Sequence, residues 1–402
     1  MVTPPLESPL VERMRSFGTT IFAEMSALAV EHGALNLGQG FPDTDGPPEI
    51  IEAAVRALRG GHNQYPPGPG IPELRRAISR HQLRHYDLRV DPEDQVLVTA
   101  GATEAIAASL LALAGPGDEV VTFEPYYDSY AASVALGGAE RRVVPLRPPT
   151  YRFDPAALEA AITPATKILL LNTPHNPTGH CFGVDELDVI AEICLRYDLI
   201  AVCDEVYEHL LFDGRAHVPL ATRPGMAERT LTISSAGKTF SFTGWKIGWV
   251  TGPAALVAAV RTVKQFLTYV SGGPLQYAVA EALEMGDDPI DELRRSLEAK
   301  RDRLCAGLEA AGFAVVVPDG TYFVIADIRP VGGSDGLEFC RALPGRIGVA
   351  AVPTQVFYDD VDAGRPYVRF AFCKRDEVID EACLRLSRLR DDRGGVATGG
   401  TS

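Results

Sequence analysis

From about residue 53 to residue 270 the chain alternates short β-branched runs with helical stretches, and few folds accommodate that alternation. Residues 95–99, 119–123, 167–171, 200–203, 230–234 and 247–251 read as strands. Between them, segments such as 104–114 and 185–197 space apolar residues three and four apart, as a helix with one buried face requires. Strands joined by helical crossovers build a mostly parallel sheet. An α/β fold is therefore expected, with the sheet sandwiched by helices.

The texture changes after about residue 286. A long charged amphipathic helix (291–311) precedes short strands at 313–317, 322–328 and 367–372, and a helix over 377–389 closes the pattern. The expected organisation is a large domain over 46–285 and a smaller α+β domain over 286–390. An N-terminal segment, 1–45, joins the smaller domain. A Gly, Thr and Ser-rich tail over 391–402 is expected to be disordered. At 402 residues the chain exceeds a typical single domain.

Charge and cysteine usage remove several function classes. The net charge is -15 and no Lys/Arg-rich block occurs, which argues against nucleic acid as a partner, since such affinity rests on cations neutralising phosphates. Cys181, Cys194, Cys203, Cys305, Cys340, Cys373 and Cys383 are odd in number, lack C-x-x-C spacing and mostly sit among aliphatic residues. They read as reduced thiols in a cytoplasmic protein. The N-terminal residues contain no apolar h-region, and no apolar run approaches the roughly 20 residues that cross a bilayer. Neither export nor membrane insertion is expected.

Four elements carry chemistry. In SSAGKTFSFTGWKIGW, Lys238 follows a β-rich run in a loop of small residues, with Lys246 eight positions on. An isolated loop lysine is ordinarily just solvated. A desolvated amine near another cation is instead a nucleophile that condenses with an aldehyde. In VCDEVYEHL an apolar strand runs directly into Asp204, and an acid at the C-terminal end of a central strand faces a ligand or a cation, or else caps the next helix. Asp204 can pair with a protonated pyridine nitrogen, and Tyr207, three residues on, can reach the same ring's phenolic oxygen. NTPHNPTG is a turn in which Pro177 and Gly179 fix the backbone so that Asn176 faces a crevice at the strand's end. VTAGATEAIAASLL reads as strand, Gly101-Ala102-Thr103 turn and helix, whose free N–H groups suit a phosphate; many such turns are only structural.

Together with SFGTTIFAEMSALA, NLGQGFPD, NQYPPGPG, EPYYDSY and YVRFAFCKRDE, these motifs resemble those of the fold-type I, class I pyridoxal 5'-phosphate-dependent aminotransferases. The resemblance spans about residues 17–389. It lies in the branch of kynurenine and glutamine transaminases and N-succinyldiaminopimelate aminotransferase. It implies the fold-type I transferase fold, an amino acid and a 2-oxo acid as substrates, and pyridoxal 5'-phosphate held covalently by Lys238, which then shuttles the proton. Asp204 would hold the pyridine nitrogen, with Asn176 and Tyr207 on the ring oxygen and Tyr127 stacked on the ring face. Gly101, Ala102, Thr103, Ser235 and Lys246 would hold the phosphate, joined by Tyr65 from the second subunit of a homodimer. Arg369 would grip the substrate α-carboxylate as a bidentate fork, with Gly38 passing close to the same carboxylate.

Tyr127 and Tyr65 as packing aromatics, and Arg369 as a structural ion pair, are the plain alternatives. The eight histidines are read as offering no H-x-x-x-H pair with a nearby third ligand, so no metal site is expected and His175 and His209 read as turn or packing residues. NQYPPGPG, VPLATRPGMAERT and RFAFCKRDE are most similar to N-succinyldiaminopimelate aminotransferases, which implies glutamate as donor and a place in lysine and diaminopimelate synthesis. Aspartate-specific relatives place a partner arginine near the distal carboxylate. The matching stretch here, TYVSGGPLQ, has none, and Ser271, Gly272 and Gly273 leave room for a long or bulky side chain. A broad kynurenine, glutamine or methionine transaminase and a cysteine-S-conjugate β-lyase of the same fold are the alternatives.

Overall fold

The computed structural model describes residues 9–394. Its strands, in chain order, are β1 (Leu35–Asn36), β2 (Val96–Ala100), β3 (Glu119–Glu124), β4 (Glu140–Pro145), β5 (Thr166–Asn172), β6 (Ile200–Asp204), β7 (Thr230–Ser235), β8 (Ile247–Thr251), β9 (Ala314–Val316), β10 (Phe323–Asp327), β11 (Val349–Ala350), β12 (Val352–Pro353) and β13 (Tyr367–Ala371). Seven form one sheet in the order β2-β8-β7-β6-β5-β3-β4. Within it β8 runs antiparallel to both neighbours, and the pairs from β7 through β4 are parallel. The α/β expectation, a mostly parallel sheet covered by helices, describes this unit.

The six expected strands fall within a residue or two of β2, β3, β5, β6, β7 and β8. All are buried along almost their whole length because helices cover both faces of the sheet, even β7, whose Thr and Ser alternate with Leu and Ile. The seventh, β4, is missing from the sequence reading. It is the sheet edge, and its charged start, Glu140-Arg141-Arg142, carries the polarity that an edge strand tolerates.

Strands β12, β13, β10 and β9 make a second, antiparallel sheet. β1 pairs with β11, Leu35 opposite Val349, which ties the N-terminal segment to this part of the chain. One apolar cluster joins Tyr207, Leu210 and Phe212, just past β6, to Phe323, Val324 and Phe370 of the smaller sheet. Burying these large side chains, at roughly 1.5–3 kcal/mol each, fixes one sheet against the other. The last helix runs Asp376–Gly394, so residues 391–394 are helical where the tail was expected to begin, and 395–402 lie outside the described residues.

Candidate active site

The C-terminal ends of β2, β5, β6 and β7 open on the same side of the large sheet, where doubly wound folds bind their ligands. A cavity of about 390 Å³ lies there. Gly101, Ala102, Thr103, Tyr127, Asn176, Asp204, Tyr207, Ser235, Lys238, Lys246 and Arg369 all line it. Of the residues singled out in the sequence, Gly38 and Tyr65 do not.

One end is built from backbone. Ala100 closes β2, and Gly101, at φ +74, turns the chain straight into the helix Gly101–Leu113. No side chain caps that helix at Ala100, so its first-turn N–H groups face the cavity without helical partners. A Cβ on Gly101 would sit 3.2 Å from Lys246 Nζ, and one on Gly248 would sit 2.6 Å from the Gly101 carbonyl carbon. These two glycines let β8 and Lys246 close under the turn. The resulting cup of N–H dipoles, a lysine and the Ser235 hydroxyl has the donor set of a phosphate site.

The middle is built from buried charge. Asp204 lies at the last position of β6, where its Oδ2 accepts from the Tyr130 hydroxyl at 2.5 Å and its Oδ1 from the Val206 N–H at 3.3 Å. Burial raises its carboxyl to about 6, with those two donors pulling it back. Lys238 is half-buried on the short helix Ala236–Thr239 that follows β7. Burial pushes its amine down to about 8; the Asp204 carboxylate opposes this, while Lys246 and Arg369 add to it. Desolvation is the largest of these causes, and the nearby Lys246 adds to it in the same direction.

The far wall comes from the small sheet. Arg369 sits mid-strand in β13, between Ile325 and Val352, and is 1% exposed. Its guanidinium lies 3.9 Å from the Phe323 ring centroid, and it donates to Asn176 Oδ1 (2.9 Å) and to the Gly38 carbonyl (3.1 Å). Its Nε is buried without a partner. Among the described residues no carboxylate forms an ion pair with this guanidinium, which leaves a buried cation on the cavity wall. Burial lowers it only to about 10, so it stays charged near neutrality.

Asn172 positions Asn176: its Nδ2 donates to the Asp204 carbonyl (2.8 Å) and its Oδ1 accepts from the Asn176 N–H (2.7 Å). Gly38 acts through its carbonyl, and Gln39 and Gly40 form the wall beside it. Tyr65 is 80% exposed, edge-on to Tyr269 at 5.4 Å. Ser271, Gly272 and Gly273 stand with Tyr65 around a separate surface cavity.

Three residues escaped the sequence reading. Tyr322 accepts a hydrogen bond from Lys238 Nζ and donates to the Gly40 carbonyl at 2.6 Å. Tyr130, the last tyrosine of EPYYDSY, holds Asp204. Asn172 opens NTPHNPTG and carries no signal of its own. The expectation that the histidines form no metal-type cluster also fails. His81 and His85 are four apart on one helix, and the fold brings His209 beside them.

The "Aminotransferase class I and II" family matches residues 33–386. A probable N-succinyldiaminopimelate aminotransferase DapC of Mycobacterium tuberculosis is 55% identical over 391 residues, 95% of this chain and 98% of that protein. The solved structure of the N-succinyldiaminopimelate aminotransferase from Mycobacterium tuberculosis superposes with a TM-score of 0.93 at 56% identity, over 94% of this chain and all of that one. Mouse kynurenine–oxoglutarate transaminase 3 is 39% identical, over 92% of this chain and 88% of its own length. The chain belongs to the class I and II aminotransferase family, and it is an enzyme that moves an amino group between an amino acid and a 2-oxo acid.

Proposed function

We propose that the chain carries pyridoxal 5'-phosphate on Lys238 and uses it to transfer an amino group from glutamate to N-succinyl-2-amino-6-oxopimelate, as an N-succinyldiaminopimelate aminotransferase. The 55% identity to the Mycobacterium tuberculosis protein, sustained over almost the full length of both chains, carries the substrate reading. The cofactor reading is supported by the cavity itself. A backbone cup with Ser235 and Lys246 fits a phosphate, the buried Asp204 carboxylate fits a protonated ring nitrogen, and Asn176 and Tyr207, on the wall of the same cavity, fit the ring oxygen. A cationic ring nitrogen would stabilise the very charge on Asp204 that burial disfavours.

When bound, the cofactor withdraws electrons from the amino acid joined to it and so weakens the Cα–H bond. The chain supplies the rest. Arg369 fixes the α-carboxylate, and its charge is aimed by Asn176 and the Phe323 ring. Lys238 Nζ, free and partly neutral near pH 8, takes up the α-proton and later returns it. Tyr322 gives that amine a resting partner.

The assembly is a homodimer in this reading, with Tyr65 of the partner subunit completing the phosphate cup. Exposed Tyr65 packs edge-on against exposed Tyr269, with exposed Phe266 and Leu267 just before it in the chain, and exposed apolar side chains of this kind favour an interaction face. The large domain over 46–285 and the small one over 286–390 belong to the same reading. A cytoplasmic location rests on seven unpaired cysteines.

A second reading, a broad kynurenine or methionine-type transaminase, is favoured by Phe22, Phe41 and Phe323 around the cavity, which suit bulky apolar side chains. Initial rates with 2-oxoglutarate decide. N-succinyl-LL-2,6-diaminopimelate is expected to exceed kynurenine, methionine, glutamine and aspartate by at least about tenfold, and a faster aromatic or aspartate donor would sink the substrate assignment. Pyruvate and ammonia formed without a 2-oxo acid would mark a β-lyase.

A further inference from the structure

The helix Pro72–Tyr86 carries His81 and His85 on one face, a turn apart. His209 comes from a segment 128 residues further along than His81, directly after Asp204 and Tyr207. One ring nitrogen from each of the three lies within 4.8 Å of the others, and His81 Nε2 and His209 Nε2 are 2.8 Å apart. The ring centroids are 4.5, 4.8 and 5.0 Å apart pairwise. A hydrogen bond between two imidazoles accounts for one nitrogen of each, yet His81 Nδ1 stays buried with no partner. That hydrogen bond joins two of the three rings and leaves the approach of His85 unexplained.

We propose that His81, His85 and His209 form a binding site for a divalent transition-metal ion, zinc in class, that fastens this helix to the segment bearing Asp204 and Tyr207. Three imidazoles are a common nitrogen set for zinc, and the fourth position is left for water. At metal–nitrogen distances near 2.0–2.1 Å, tetrahedral ligands stand about 3.3 Å apart, between the 2.8 Å and 4.8 Å seen here. Small side-chain rotations close that gap. His85 has 17% of its side chain exposed and offers the route in from solvent.

The surroundings suit a cation despite Arg84, whose Nη2 lies 3.3 Å from His85 Nε2. Asp287 Oδ1 stands 3.4 Å from the same nitrogen and 3.3 Å from Arg84, in the place of a carboxylate that orients a metal-bound imidazole. Behind the cluster Glu208 accepts from Tyr86 at 2.6 Å, and Glu205 Oε2 lies 2.8 Å from His217. The inference does not rest on the cofactor or substrate reading.

The test is a cobalt titration of the chelator-treated holoenzyme. One equivalent of Co²⁺ is expected to give d–d bands to the red of the cofactor's absorption, and Zn²⁺ is expected to abolish them. His85→Ala, on the accessible rim, and His81→Gln are each expected to weaken Co²⁺ binding at least tenfold. In the absence of metal, His85→Ala is expected to keep the native unfolding temperature and cofactor spectrum. Zinc should raise the unfolding temperature of the unaltered enzyme and leave that of His85→Ala unchanged. No d–d bands at one equivalent, bands unaltered in His85→Ala, or a thiolate charge-transfer band that places the ion on cysteine would each overturn the site.

Discussion

The two sheets supply the cavity in different ways. The large sheet delivers Asp204 and, one turn past β7, Lys238 at the ends of adjacent parallel strands, where the topology alone leaves a crevice. The small antiparallel sheet delivers Arg369 from the middle of β13, where register and packing aim the side chain. A strand end makes a site by where the chain stops, whereas a mid-strand residue makes one only if its neighbours hold it. The large-sheet residues should therefore act on chemistry and the small-sheet residues on positioning, and substitutions can separate the two.

The largest effect is expected at Asp204. Asp204→Asn should lower kcat about 10²–10³-fold, the scale of losing a placed charge in a dry site. Its stability effect has the opposite sign. The native carboxyl, raised to about 6 from an ordinary 3.8, binds its proton more tightly than the unfolded chain does. That contribution is full below about pH 4 and is lost as pH rises to about 6, leaving a buried charge above. Without cofactor, the Asp204→Asn variant should gain on the order of 3 kcal/mol over the parent at pH 7.5 and about half of that at pH 5, measured by urea unfolding. Equal gains at both pH values would show that Asp204 does not titrate as buried.

Arg369→Lys comes next. A point charge cannot reproduce the fork that already reaches Asn176 and Gly38, so kcat/KM should fall about 10–10²-fold, with the cofactor spectrum unchanged. An altered cofactor spectrum would place Arg369 in the cofactor site and erase the contrast between the sheets.

The smallest effect is expected at Tyr322, which holds Lys238 by one neutral hydrogen bond. Tyr322→Phe should cost less than about tenfold in kcat, at about 0.5–1.5 kcal/mol for such a bond. The pH profile of cofactor uptake by the cofactor-free protein should move with it. Uptake should fall tenfold per pH unit below about 8 in the parent, where the amine gains its proton, and the break should shift in the variant. An unmoved break would reduce Tyr322 to a packing residue.

The same contrast explains what the sequence disclosed. Asp204, Lys238 and the Gly101 turn stand out because an apolar strand ends abruptly in a charge or a glycine, and a parallel sheet turns such endings into one crevice. Arg369 needed the surrounding YVRF motif, since a charge inside an alternating strand looks like a surface residue. Tyr130 and Tyr322 were indistinguishable from neighbouring tyrosines, because only the turn of the helix Asp128–Gly137 and the pairing of β10 select which hydroxyl reaches a charge. His209 was invisible for a simpler reason: its partners lie on a helix far up the chain. Strand β4 was hidden by the charges at an edge.

The central claim is that the amine of Lys238 is the covalent anchor of the cofactor. Borohydride reduction of the loaded enzyme followed by peptide mapping tests it directly. The account predicts that the pyridoxyl group stays on the peptide containing Lys238, at one equivalent per chain. Label on another lysine, Lys246 included, or no label on fully loaded enzyme, would contradict it.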